Sequence, residues 1–229
     1  MTDIPIIDFA NFENGSDSER RKVAADLDWA ASEVGFMYVK SLGIDPQILA
    51  NAFASSKAFY TQPQEIKNLS DYSQEINHGY QPSGLQRLDP SVAPDLKEAF
   101  TMRDVHKNAD KPEMWPSPEF LETAKVTFDE FLRGANIVME AFAIALDLPI
   151  DFFRNCHKGD FTALRYLHYP VISEDLTEEQ LGCGAHTDFG TITLLFQDDV
   201  GGLQVQGRDG VWRDAIYIPD TIVVNTADL

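Results

Sequence analysis

Two residues, His186 and Asp188, have the types and the spacing to do chemistry. They lie in Gly184-Ala185-His186-Thr187-Asp188-Phe189-Gly190-Thr191-Ile192-Thr193-Leu194-Leu195-Phe196, which reads as a strand interrupted by a short polar kink. In extended chain, residues two apart face the same way. An imidazole nitrogen and a carboxylate oxygen can then converge on one metal ion. A neutral nitrogen donor beside an anionic oxygen donor, with further positions open, suits ferrous iron used for oxygen chemistry. Iron sites of this kind take a second histidine, and none of the 5 histidines follows Asp188. A His-x-Asp triplet alone is a weak motif, because a polar kink in a strand is also an ordinary turn.

The elements that must position this pair can be read from periodicity and punctuation. Ile4-Pro5-Ile6-Ile7-Asp8-Phe9 predicts an opening strand, held at an edge or strand start by Pro5. Ser16-Asp17-Ser18 supplies N-caps for a helix to about Val34, with Val23, Leu27, Ala30, Ala31 and Val34 at helical spacing. Gly35 ends it, and Phe36-Met37-Tyr38-Val39 reads as a second strand. Asp45-Pro46 caps a helix reaching Tyr60, and another short one starts at Pro63. Asn77 to Val92 reads as loop. Ser117-Pro118 opens the longest helix, whose apolar stripe runs through Leu121, Ala124, Phe128, Leu132, Ala135, Met139 and Phe142 to Leu146. Beyond Pro149 the texture turns to short strands: Thr162 to Tyr169, Thr191 to Phe196, Leu203 to Val205, Val211 to Ala215 and Thr221 to Asn225. Turn sequences separate them, a pattern of a sandwich or jelly roll rather than of parallel βαβ units.

Composition narrows the function classes. The 229 residues suffice for one sizeable core, or for one domain with an appendage. A formal net charge of −19 argues against nucleic-acid backbones and anionic membranes as partners. Cys156 and Cys183 make no disulfide framework and no zinc-finger spacing, which fits a reducing compartment. The N-terminus has no basic region followed by an apolar stretch, so a cytoplasmic location is the expectation.

Several separate motifs, in order, give the chain a specific resemblance. Leu164-Arg165-Tyr166-Leu167-His168-Tyr169-Pro170, the His186 segment, Asp199-Val200-Gly201-Gly202-Leu203-Gln204-Val205, Gly210-Val211-Trp212, Ile218-Pro219-Asp220 and Val223-Val224-Asn225-Thr226 form the later part. Ile4-Pro5-Ile6-Ile7-Asp8-Phe9, Gly35-Phe36-Met37-Tyr38-Val39, Gly79-Tyr80 and Asp95-Leu96-Lys97-Glu98-Ala99-Phe100 form the earlier part. Together they resemble the isopenicillin N synthase-like branch of the iron(II)/2-oxoglutarate-dependent oxygenases.

The resemblance implies an α+β chain with a mainly β core: a double-stranded β-helix, or jelly roll, with flanking helices. The expected division is an N-terminal dioxygenase region over residues 1–110, a long packing helix and connector over 111–160, and a partial jelly-roll core over 161–229. His186 and Asp188 map onto the first two iron ligands, and Tyr169 onto a tyrosine facing the co-substrate. No further catalytic residue is assigned. The cofactors implied are Fe(II), 2-oxoglutarate and O2. The reaction is oxidation of a small organic molecule by hydroxylation, desaturation or cyclisation, and no particular substrate or oligomeric state follows. The family's later histidine and Arg-x-Ser motif have no counterpart after Asp188, so the chain reads as C-terminally truncated, with its closing strands missing. As such it is expected to hold iron weakly and turn over little. The rival readings are an iron oxidase or synthase of the same fold that uses no 2-oxoglutarate, and a non-catalytic jelly-roll fragment.

The other polar residues have plainer expectations. His78 reads as an exposed loop histidine, His168 as a polar or packing residue on the face opposite Tyr169, and His106 and His157 as surface. Cys183 reads as a structural thiol, Arg165 as either an outward strand arginine or a carboxylate partner, and Lys97-Glu98 as a solvated pair or a fold-defining contact.

Overall fold

A computed structural model describes residues 4–85, 94–157, 162–171 and 181–227. The chain folds into two compact units. One comprises residues 1–44, 131–158 and 187–229; the other comprises 45–130 and 159–186.

The first unit is built on a four-stranded sheet. Its strands are β1 (Ile6–Asp8), β2 (Phe36–Lys40), β6 (Ile192–Leu195) and β9 (Thr221–Thr226), ordered β1-β2-β9-β6. The β1–β2 pair is parallel; β2–β9 and β9–β6 are antiparallel. Helix α1 (Asp17–Glu33) starts in a capping box, in which Ser16 and Glu19 satisfy each other's backbone N–H groups. Such a cap stabilises a helix by about 1 kcal/mol. Alternation along the strands sends Met37, Val39, Ile222 and Val224 into one core with Leu27, Ala30, Ile137, Val138 and Ala141. Tyr38 and Val223 point the other way, into a smaller core with Val205 and Ala215. Val205 lies in β7 (Gln204–Gln206), which forms a hairpin with β8 (Trp212–Asp214), and Ala215 follows β8. The sheet is thus covered on both faces. This accounts for the uninterrupted apolar run Ile222-Val223-Val224, which a half-solvated strand would not show.

The second unit is built on a three-stranded antiparallel sheet, β3 (His78–Gln81), β4 (Glu98–Arg103) and β5 (Ala163–His168), in that order. One sheet face carries His78, Tyr80, Phe100, Met102, Leu164 and Tyr166. Phe59 of α2 (Pro46–Tyr60) and Phe120 of α4 (Pro118–Ala145) meet these rings edge-on or tilted, with centroids 5.0–5.7 Å apart for Phe59–Tyr80, Phe59–Phe100, Phe100–Phe120 and Phe120–Tyr166. Edge-to-face aromatic pairs of this kind add about 0.5–1.5 kcal/mol beyond area burial. At Gly79 the chain needs glycine: φ is +118°, and an added Cβ would lie 2.5 Å from the Asp71 carbonyl oxygen. Helix α4 runs through both units, its first part in the second unit and its remainder, from Phe131, in the first.

Helices α1, α2, α3 (Gln64–Lys67) and α4, the opening strands and the later strands match the sequence reading to within a few residues. Three expectations need correction. The Asn77-to-Val92 stretch is not all loop, since β3 begins at His78; residues 86–92 of it lie outside the described residues. β4 and α5 (Phe152–His157) were not anticipated: β4 reads Glu98-Ala99-Phe100-Thr101-Met102-Arg103, whose first five residues are all buried, so no polar/apolar alternation marks it. The stripe of α4 holds at Ala124, Phe128 and Met139, which are buried, but differs at its ends: Phe120 is buried while Leu121 is half-buried, and Leu146 lies past the helix end, 54% exposed.

Candidate metal centre

Asp188 precedes β6 in a segment that makes no strand pairing, contrary to the strand expected there. Its direction is set from the strands beyond it. One carboxylate oxygen, Oδ2, accepts from Thr193 Oγ1 at 2.7 Å and from Asn225 Nδ2 at 2.8 Å. Thr193 and Asn225 are directly opposed in the β6–β9 register. Directly opposed side chains lie about 5 Å apart, so both can reach one atom. Asn225 is buried at the end of an apolar run, so its amide needs a partner there, and Asp188 provides it. A carboxylate has two oxygens and about four lone-pair sites. With Oδ2 held, the group keeps the capacity and the fixed angle to ligate a cation.

His186 lies in the second unit and is exposed. Its Nδ1 is 2.8 Å from the Gly184 carbonyl oxygen. A carbonyl can only accept, so this contact takes the proton on Nδ1, which in the neutral ring leaves the lone pair on Nε2. Metal-bound histidines characteristically have their second ring nitrogen held in this way. Cys183 Sγ lies 3.8 Å from the same Nδ1 and accepts from Lys97 Nζ at 3.1 Å. Burial pushes the Cys183 thiol up, but the His186 ring and the Lys97 ammonium outweigh it and hold the thiol below its ordinary value.

Tyr169 follows β5, and its ring lies against Gly182, where an added Cβ would come 2.9 Å from Tyr169 Cδ1. It is 53% exposed at its surface, yet protein atoms crowd around it. That crowding, followed by the charges of Cys183 and Asp95, pushes the phenol up to about 12. His168 sits on the opposite face, as alternation predicts, with Nδ1 2.7 Å from Glu98 Oε2.

Glu98 is buried, and it also accepts from Lys67 Nζ and Tyr80 Oη. Burial pushes its carboxyl up; Lys67, Tyr80 and His168 reverse that and hold it below the ordinary range. Lys97 and Glu98 are therefore not a solvated pair; each is buried and makes a fold-defining contact with another residue. Lys97 bonds to Asp95, and Glu98 to Lys67, because neighbouring strand residues point to opposite faces. His78 also departs from expectation. It is 1% exposed, packed edge-on against Trp115 with centroids 4.5 Å apart. His106 is exposed and pairs with Asp129, and His157, near the surface, lies 3.1 Å from Thr191 Oγ1. The supporting contacts of Asp95, Lys97, Thr193 and Asn225 escaped the sequence reading. For Thr193 and Asn225 the one visible signal was a polar residue inside an apolar strand run.

The donor types, one imidazole and one carboxylate, fit ferrous iron. They supply two protein donors. Among the described residues, no group of three or more His, Cys, Asp or Glu side chains is placed to hold a metal ion.

Residues 4–118 match the family described as non-haem dioxygenase in morphine synthesis N-terminal, and residues 158–229 match the 2OG-Fe(II) oxygenase superfamily. A 2-oxoglutarate-Fe(II) type oxidoreductase of Metarhizium rileyi is 30% identical, over 99% of this chain and 69% of its own length. Homoarginine-6-hydroxylase of Oryza sativa subsp. japonica is 34% identical, over 93% of this chain and 70% of its own. A full-length Neurospora crassa protein solved in complex with alpha-KG and thymine superposes with a TM-score of 0.86 at 31% identity, covering 98% of this chain and 74% of that one. The chain belongs to the isopenicillin N synthase-like Fe(II)/2-oxoglutarate oxygenase family. It is an α+β protein of the jelly-roll class and a non-haem dioxygenase that uses Fe(II), 2-oxoglutarate and O2 on small substrates. No described helix is long and apolar enough to cross a membrane.

Proposed function

We propose that His186, through Nε2, and Asp188, through a carboxylate oxygen, are two of the iron ligands of this oxygenase, and that Tyr169 faces 2-oxoglutarate. The observation that supports this most is the grip of the opposed pair Thr193 and Asn225 on Asp188 Oδ2, two residues from an imidazole whose Nδ1 proton is already committed to Gly184. Iron, when bound there, supplies the redox chemistry that couples 2-oxoglutarate and O2 to oxidation of a C–H bond. The chain's own residues do the rest. Gly184 keeps the ring in the ligating tautomer, Thr193 and Asn225 keep the carboxylate from rotating, and the high-pKa phenol of Tyr169 stays protonated at neutral pH and can donate to a co-substrate oxygen. The organic substrate assigned is a small polar molecule, of the order of size of the thymine bound by the Neurospora crassa relative or the homoarginine named for the rice one. Hydroxylation is the favoured outcome, from that rice relative.

An anaerobic Fe(II) titration tests the ligands. His186→Ala and Asp188→Ala should each weaken binding by at least ~10-fold. The 2-oxoglutarate consumed by the same samples in air should fall in step. Unchanged iron affinity in both variants would remove the assignment.

A further inference from the structure

We propose that the buried Asp95–Lys97 pair is a positioning device for His186: it pins Gly184, whose carbonyl in turn fixes the tautomer and direction of the imidazole. This rests on His186 being a metal ligand. The two partners are each 4% exposed, and they bond to each other. A buried ion pair is a weak source of net stability, since desolvating both charges offsets most of their attraction. Stability alone is therefore a poor account of this one.

What the pair touches is more informative. Asp95 Oδ2 takes the Lys97 ammonium, and Asp95 Oδ1 accepts from the Gly184 N–H at 2.8 Å. Lys97 Nζ reaches Cys183 Sγ at 3.1 Å. Between them, the Leu96 N–H donates to the Leu181 carbonyl at 3.0 Å. Gly182 completes the series, packed so that an added Cβ would come 2.9 Å from the Tyr169 ring. Four consecutive residues, Leu181 to Gly184, are thus held by the segment 95–97 and Tyr169, all within one unit. The Asp95 backbone is itself anchored, its carbonyl accepting from the Gly84 N–H at 2.9 Å. The segment 181–186 belongs to no helix or strand, so these contacts replace the ladder that would otherwise fix it. Its last fixed atom is the Gly184 carbonyl oxygen that takes the Nδ1 proton of His186 at 2.8 Å. The path from a buried carboxylate to the imidazole is therefore one residue long.

The test uses two double variants of the full chain. Asp95→Leu/Lys97→Met removes both charges and the acceptor. Asp95→Asn/Lys97→Met removes both charges but keeps a carbonyl oxygen for Gly184. Nitrogen-15 histidine NMR on the metal-free chain reads the His186 tautomer, and Co(II) titration reads affinity. The wild type should show the proton on Nδ1. The leucine variant should lose that preference and bind Co(II) about 10–100-fold more weakly, and the asparagine variant should recover most of both. A wild-type proton on Nε2, or a leucine variant matching wild type in tautomer and affinity, would overturn the proposal. Should the leucine variant fail to fold, the wild-type tautomer and the exchange protection of the Gly184 amide still decide: a fast-exchanging amide sinks it. If the tautomer shifts as expected while His186→Ala leaves Co(II) affinity unchanged, the positioning contact stands and the metal-ligand assignment falls.

Discussion

Asp188 and His78 show how a single residue's chemistry is decided by neighbours distant in sequence. Asp188 gains its orientation from Thr193 and Asn225, the latter 37 residues away. His78 gains its charge state from the aromatic core around it. Burial, opposed by the Met114 carbonyl and aided by the Lys111 charge, pushes its imidazole down from 6.5 to about 4. Its Nε2 is 3.3 Å from Met114 O, and its Nδ1 finds no hydrogen-bond partner among the described residues. The folded pKa lies below the unfolded one, so between pH 6.5 and about 4 the unfolded chain binds more protons. The stability due to neutral His78 is fully present above pH 6.5 and is lost as pH falls towards 4. A shift of that size corresponds to roughly 3 kcal/mol at most. Urea midpoints measured across this window should drop more steeply in wild type than in His78→Gln. Equal slopes would show that His78 is already hydrated or charged in the fold.

At the scale of elements, α4 is the clearest test of the packing. Phe120 is 5% exposed and touches Phe59, Phe100, Trp115 and Tyr166. Phe120→Ala should cost about 3–5 kcal/mol by chemical denaturation, whereas Leu121→Ala, on a half-buried position, should cost clearly less. The reverse order would mean the helix is rotated to the stripe first read from its sequence. That stripe was legible as a helix because its apolar spacing follows 3.6 residues per turn. Ala124, Phe128 and Met139 were on the face so read, but its first residue was not legible, because Phe120 and Leu121 are equally apolar and only the aromatic partners across the core distinguish them. β4 was illegible for a related reason: a strand covered on both faces loses the alternation that marks a strand.

Across the whole molecule, charge is the dominant long-range feature. A net charge of −19 repels itself in the compact state. The thermal midpoint should therefore rise as sodium chloride goes from about 10 mM to about 150 mM, where the screening length shrinks from roughly 30 Å to 8 Å. A flat or falling midpoint would mean that attractive pairs such as Lys67–Glu98 and Lys97–Asp95 outweigh the repulsion.

Sequence alone determined the family, through motifs that occur in order along the chain, and the order of most elements, through caps, turns and periodicity. It also singled out His186 and Asp188, the proposed ligands, by the two-residue spacing of donor side chains and by that resemblance. Tertiary structure decided which residues support that pair. Thr193 and Asn225 meet Asp188 because β6 and β9 are in one register, and Asp95 meets Gly184 because the chain before β4 runs beside the segment before His186. Such partners are 5 to 89 residues apart. No local preference encodes a separation of that kind, since it is set by how strands pair and by the need of each buried polar group for a partner.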